Sequence, residues 1–277
     1  PDGYKNSLRA LHANHPKWRF NVIDTGLEWA DALKAESAVG KNLVSKNSIA
    51  SWKSTEPQAY NWTTNTWYGF DGGSWAAAST ELIQYYLDPR NFLDDSGIFQ
   101  FETLEFQDYQ NVDGVANTLS GTFMRGDYAD TDGETRSYAQ TFYDAGQACG
   151  VNPYHLASKA IQEQGTLGKS QSVAGNVGGL ENLFNYFNIG AYATNGRSAT
   201  INGLYYAAGL EEEYLRPWNT RYRSICGSAK YIYDKYIAVG QNTLYFQKWD
   251  VSRGAAKAYS HQYMQDITAV ADNASST

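Results

Sequence analysis

The sequence predicts a mainly α protein with a small β element, and three observations carry that prediction. Apolar residues recur at helical intervals in several segments, and good helix-capping residues stand at the heads of those segments. Glycine or proline stands where several of the segments stop, and no internal repeat, heptad or low-complexity tract occurs. With 277 residues the chain can build one large domain or two small ones, each with its own core.

Residues 4–14 read as a short helix that Pro16 ends. Thr25 can cap a second helix, in which Leu27, Ala30 and Leu33 recur at helical spacing. From Ser45 to Gly73 the pattern is irregular, polar and rich in tryptophan (Trp52, Trp62, Trp67), which predicts ordered loop. Ser74 then opens a helix through Trp75, Leu82, Ile83 and Tyr86, closed by Asp88-Pro89. Residues 112–126 start as a helix and end at Gly126.

The acidic stretch 127–135 has the look of a calcium loop, but its spacing excludes an EF-hand. With Gly133 at loop position six, the first ligand would be Tyr128 and the last Ala139, neither of which is an acid. The stretch therefore reads as a solvated linker between a helical N-terminal subdomain, 1–125, and a second domain, 126–277. In that second domain a helix covers about 137–149. The next has both ends marked, by Asn152 as N-cap, Pro153 at the first position and Gly165 at the stop. A glycine-rich segment (164–183), an aromatic run (184–192) and helices near 198–208 and 220–236 follow, then short mixed segments over 241–270.

Composition narrows the function. A net charge of −7 argues against non-specific attraction to nucleic acid or anionic membrane. No apolar run approaches the roughly 20 residues a membrane helix needs. The chain begins at Pro1 without Met, so any export signal is expected outside it. Cys149 and Cys226 form no C-x-x-C pair; they read as free thiols or one disulfide, with free thiols favoured. The four histidines lack ligand spacing, and no metal site or organic cofactor is expected. No G-x-S-x-G, Walker A or dinucleotide fingerprint occurs. Aromatic residues make 15% of the chain, and 22 of them are Tyr. Such side chains suit wet, ring-shaped ligands such as sugars, although a tyrosine-rich core reads the same way.

Glu163 is the most informative carboxyl group. It follows Leu156 by two helical turns, so it points nearly along the apolar stripe. Desolvation there, together with the nearby helix C-terminus, favours the protonated form that a glycosidase proton donor needs. The competing reading is a surface Glu paired with Lys159 or Lys169. Glu181 follows glycines 165, 168, 175, 178 and 179 and reads as a second acid on a mobile flap, or as a solvated loop residue. The run Phe184–Tyr192 offers aromatic faces and amides to a sugar. Read as a core strand instead, it would need buried partners for Asn185 and Asn188.

Four strings in order, 156–165 (LASKAIQEQG), 184–192 (FNYFNIGAY), 240–249 (GQNTLYFQKW) and 261–264 (HQYM), resemble the family-73 glycoside hydrolases. The strings 7–33 and 85–102 resemble the N-terminal part of clostridial-type members, extending the likeness over nearly the whole chain. The resemblance implies a mostly helical, lysozyme-like catalytic domain with a cleft and a small β-lobe or flap. The N-terminal subdomain either buttresses that domain or extends its glycan groove; buttressing is favoured, because its amphipathic helices need a partner for their apolar faces. The resemblance also implies an endo-β-N-acetylglucosaminidase that cuts peptidoglycan, with Glu163, Glu181 and Tyr245 catalytic. Phe187, Asn188, Tyr186, Tyr192 and Gln162 would contact the glycan; Tyr186 stands where many members have Phe. A secreted, wall-located monomer is expected. A lytic transglycosylase on the same fold and a non-catalytic wall-binding module are the rivals.

Overall fold

Helix starts in this chain are set by short polar side chains. Ser79, Asn111, Ser137, Asn152, Ser198, Thr220 and Thr243 each accept a first-turn backbone N–H. In the computed structural model, which describes residues 2–194 and 196–275, the elements run α1 (Asp2–Asn14), α2 (Trp29–Glu36), β1 (Leu43–Ser45), β2 (Tyr60–Asn61), β3 (Thr66–Trp67), β4 (Trp75–Ala77) and α3 (Thr80–Leu87). Then come α4 (Val112–Leu119), β5 (Asp127–Ala129), β6 (Thr135–Ser137), α5 (Tyr138–Cys149), α6 (Pro153–Gln164) and α7 (Gln171–Ala174). α8 (Ala199–Ala207), α9 (Arg221–Ile232), α10 (Leu244–Trp249) and α11 (Ala269–Ser275) complete the order. The strands form three two-stranded antiparallel pairs, β1 with β4, β2 with β3 and β5 with β6.

The chain forms two compact units, residues 1–102 with 240–277, and residues 103–239. The sequence reading divides it once, at 126; contacts divide it at two places, because the last segment shares a core with the first. In that first unit, Leu82, Ile83 and Leu87 of α3 pack with Tyr245, Phe246 and Trp249 of α10 and with Ile267. A buried polar chain runs through the same unit. Lys248 Nζ donates to Asn42 Oδ1 (2.7 Å) and to the Met264 carbonyl (2.8 Å). Asn42 Nδ2 donates to Glu36 Oε2 (2.9 Å), and Lys41 meets Glu36 Oε1 at 2.8 Å. Burial pulls the Lys248 ammonium down to about 7 and pushes the Glu36 carboxyl up.

Two sequence expectations change here. The helix expected from Ser74 starts at Thr80, because residues 75–77 pair with β1 and bury Ala76 and Ala77. The second helix starts at Trp29 without a side-chain cap, and Thr25 instead accepts the Leu27 N–H in a turn.

In the second unit α5 packs against α4, α6 and α9. Its buried face is Ala139, Phe142, Ala145 and Gly146, at helical spacing. The stretch read as a solvated linker is the β5–β6 hairpin. Its Asp130 side chain is fully buried and accepts the N–H groups of Arg221 (2.8 Å) and Tyr222 (3.0 Å), which ties the hairpin to the start of α9. Cys149 and Cys226 are free and half-buried, on α5 and α9.

Candidate active site

α6 carries Glu163 at its last turn. Asn152 Oδ1 accepts the Tyr154 and His155 N–H groups, Pro153 takes the first position, and Gly165 (φ 68°) ends the helix. Leu156, Ala157, Ala160 and Gln164 form its buried face. Glu163 lies at the edge of that face, with its side chain 24% exposed. Its Oε2 accepts Asn188 Nδ2 at 3.0 Å, and the same amide reaches the Glu163 carbonyl at 3.3 Å. Lys159, one turn earlier, brings its ammonium to 3.7 Å from Oε1. The spacing from Leu156 predicts a carboxyl group in an apolar setting; the helix end instead gives it a polar ring, open on one side.

Asn188 is itself held. Its backbone is in the left-handed region (φ 50°), and Ser172 Oγ donates to its Oδ1 at 2.9 Å. Gln164 Nε2 donates to the carbonyls of Asn185 (3.1 Å) and Tyr186 (3.0 Å), fixing the turn-rich run that leads to Asn188. Sequence reasoning missed Gln164 and Ser172. Gln164 was findable, since it falls eight residues after Leu156 and so on the buried face. Ser172 gave no signal, because its partner lies 16 residues away.

The glycine-rich segment differs from a bare flap. α7 lies inside it, capped by Ser170, and Leu180 and Leu183 pack on Leu204 of α8. A Cβ at Gly168 would stand 2.4 Å from the Phe123 ring, and one at Gly175 2.7 Å from the Phe184 ring. Glu181 is exposed in a turn that no strand frames. Its carboxylate accepts its own backbone N–H and that of Gly179 (3.1 Å), which holds it below the usual carboxylate range.

The aromatic run splits into a core half and a surface half. Phe184, Tyr186 and Phe187 are buried, so Tyr186 and Phe187 present no ring face to a ligand. The Tyr186 hydroxyl pairs with that of Tyr138 at 2.6 Å. Asn185 is fully buried and finds the partners it needs in the carbonyls of Ile189 (2.8 Å) and Gly203 (2.9 Å). Asn188 is half-buried, while Tyr192 (66% exposed) and Gln162 reach solvent.

Tyr245 lies in the first unit's core, 6% exposed, and its hydroxyl donates its one proton to the Leu87 carbonyl at 2.6 Å. Burial and Lys159 push His155 down to about 3, so it stays neutral. No cluster of three or more His, Cys, Asp or Glu side chains able to hold a metal occurs among the described residues.

No family model matches the chain. Over 208 residues it is 31% identical to a beta-N-acetylglucosaminidase of Bacillus subtilis, covering 73% of this chain and 21% of that protein. Over 275 residues it is 25% identical to a bifunctional autolysin of Staphylococcus epidermidis, covering 94% of this chain and 18% of that protein. The chain is thus similar in sequence to bacterial autolysins and to a bacterial glucosaminidase. It spans about a fifth of the length of these curated relatives. Among solved structures it is similar to a major bifunctional autolysin, with TM-score 0.58 and 23% identity over 91% of this chain and 87% of that one. A Staphylococcus aureus autolysin E, solved in complex with a muropeptide, gives TM-score 0.55 and 19% identity over 92% and 90%. The fold is thus the lysozyme-like fold of the autolysin glucosaminidase domains. No described helix is long and apolar enough to cross a membrane.

Proposed function

We propose that this chain is an endo-β-N-acetylglucosaminidase of the family-73 type, secreted to the cell wall, which hydrolyses the β-1,4 bond between N-acetylglucosamine and N-acetylmuramic acid in peptidoglycan. The observation that carries the reading is the setting of Glu163, a helix-end carboxyl group open on one side and fixed by Asn188 on the other. The homologues support the substrate class. One is named a beta-N-acetylglucosaminidase, and a catalytic mutant of autolysin E was solved with the disaccharide NAG-NAM.

In this mechanism Glu163 protonates the glycosidic oxygen as positive charge develops on the sugar ring, and bound glycan displaces water from its open side. Glu181, kept ionised by its two N–H partners, supplies the second carboxylate as base on water or as electrostatic stabiliser. Tyr192 and Gln162 contact the sugar from the surface, while Asn188 acts through Glu163. The chain acts as a monomer and without a cofactor.

Glu163→Gln should keep the fold and reduce wall lysis by at least about 10²-fold. Lysis near the parent rate removes Glu163 from the mechanism. Mass spectrometry of the products decides the chemistry: reducing N-acetylglucosamine ends support hydrolysis, and anhydro-muramic ends overturn it in favour of a transglycosylase.

A further inference from the structure

The β2–β3 hairpin of the first unit carries an aromatic surface that the proposed chemistry does not use. The register pairs Tyr60 with Trp67, so their side chains share one face, and their rings lie 4.8 Å apart. Trp62, at the head of the turn, packs edge-on against Tyr60 at 4.9 Å. The three rings form one contiguous row, yet they differ in availability. Trp67 is half-buried, donates its indole N–H to the Ser54 carbonyl (3.0 Å) and has the Lys53 ammonium over its ring at 4.1 Å. Trp62 is 66% exposed.

The turn that presents Trp62 is built rather than slack. Asn61 Oδ1 accepts the N–H groups of Thr63 (2.9 Å) and Thr64 (3.2 Å), and the hydroxyls of Thr64 and Thr66 share a bond of 2.8 Å. An indole held rigidly in water forgoes burial of a large apolar surface, a cost that a ligand can reverse. The chemistry around it selects the ligand. From Pro57 to Phe70 no side chain is charged, in a chain that is 18% charged. The exposed neighbours are Thr63, Thr64 and Asn65, hydroxyls and an amide. Such a rim offers nothing to a lipid phosphate or an acidic peptide, and it matches a neutral ring bearing hydroxyl and acetamido groups.

We propose that this hairpin is a glycan-binding site, in which Trp62 stacks on a pyranose ring of a β-linked N-acetylhexosamine chain while Thr63, Thr64 and Asn65 hydrogen-bond its substituents. The proposal rests on the reading of the chain as a glycan-processing protein, but not on Glu163. It adds a substrate contact carried by the compact unit that does not contain that carboxyl group.

The test uses the full chain carrying Glu163→Gln, so that binding is read without hydrolysis. Pelleting with insoluble chitin and with purified peptidoglycan should be about tenfold weaker for Trp62→Ala and closer to the parent for Trp62→Phe. Equal pelleting of Trp62→Ala and its parent overturns the site. In a second measurement, the Trp62 indole N–H resonance, assigned by its loss in Trp62→Phe, should shift on titration with soluble N-acetylglucosamine tetramer; an unmoved resonance also overturns it. The two readings fail separately, since unchanged lysis by Glu163→Gln strikes the hydrolysis and leaves this binding result standing.

Discussion

Asn188 grips Glu163 twice with one amide, donating to the carboxylate at 3.0 Å and to the carbonyl of the same residue at 3.3 Å. The carboxyl group is thereby locked to the end of its own helix. Removing the amide should leave the acid present but badly aimed. Because Asn188 has φ 50°, Asn188→Gly deletes the contact without adding backbone strain. Its kcat on purified wall should fall on the order of 10²-fold with KM changed far less. An unchanged kcat would show that the amide positions nothing of catalytic value.

Tyr245 and Tyr186 both carry hydroxyls committed to buried partners, and both should behave as structural residues. Tyr245→Phe strands the Leu87 carbonyl in the core and should cost about 1–3 kcal/mol in urea unfolding. Activity per folded molecule should be retained. A variant of full stability and collapsed activity would instead return Tyr245 to the reaction. Tyr186→Phe removes one partner of the Tyr138 hydroxyl and leaves it Arg221, so the stability loss should be smaller, with no loss of hydrolysis.

The glycine-rich segment should respond according to what each glycine faces. Gly168 combines φ +58° with the Phe123 ring directly over its missing Cβ. Gly168→Ala should destabilise by at least about 2 kcal/mol, from left-handed strain and overpacking together. Gly178 has neither feature, and Gly178→Ala should be neutral. Equal melting temperatures for the two variants would mean that the segment is not packed as described.

Lys248 gives a pH signature. Its ammonium is pulled from 10.5 to about 7 by burial, so between those limits the unfolded chain holds a proton that the folded chain does not. Stability from this group therefore rises with pH across that window, and the penalty for the buried charge is fully present below about 7. Lys248→Met has no such titration. Urea midpoints of parent and variant, compared across the window, should move apart in the parent's favour as pH rises; parallel profiles would show that Lys248 keeps its proton throughout.

Much of the site was legible because its signals are local. Asn152, Pro153 and Gly165 mark α6 within a few residues of Glu163, and capping chemistry acts at that range. The β5–β6 hairpin was not legible, since Asp130 finds its partners more than 90 residues later, at Arg221 and Tyr222. Composition also cannot separate a sugar platform from a core. Phe184–Phe187 and Tyr245 show the same residue types as Tyr192 and Trp62, and only burial tells them apart. The position of α6 says where Glu163 lies, but Lys159 and Asn188 decide what surrounds it.

The shared core of α3 and α10 sets an order of events on the ribosome. Residues 103–239 carry their own core, and all of them leave the exit tunnel before α10 does. The discontinuous unit must hold Leu82, Ile83 and Leu87 unsatisfied until the segment that begins at residue 240 emerges to cover them. During that wait the nascent chain exposes greasy surface, so the N-terminal segment is where holding by a chaperone matters most and where a stalled product would aggregate first.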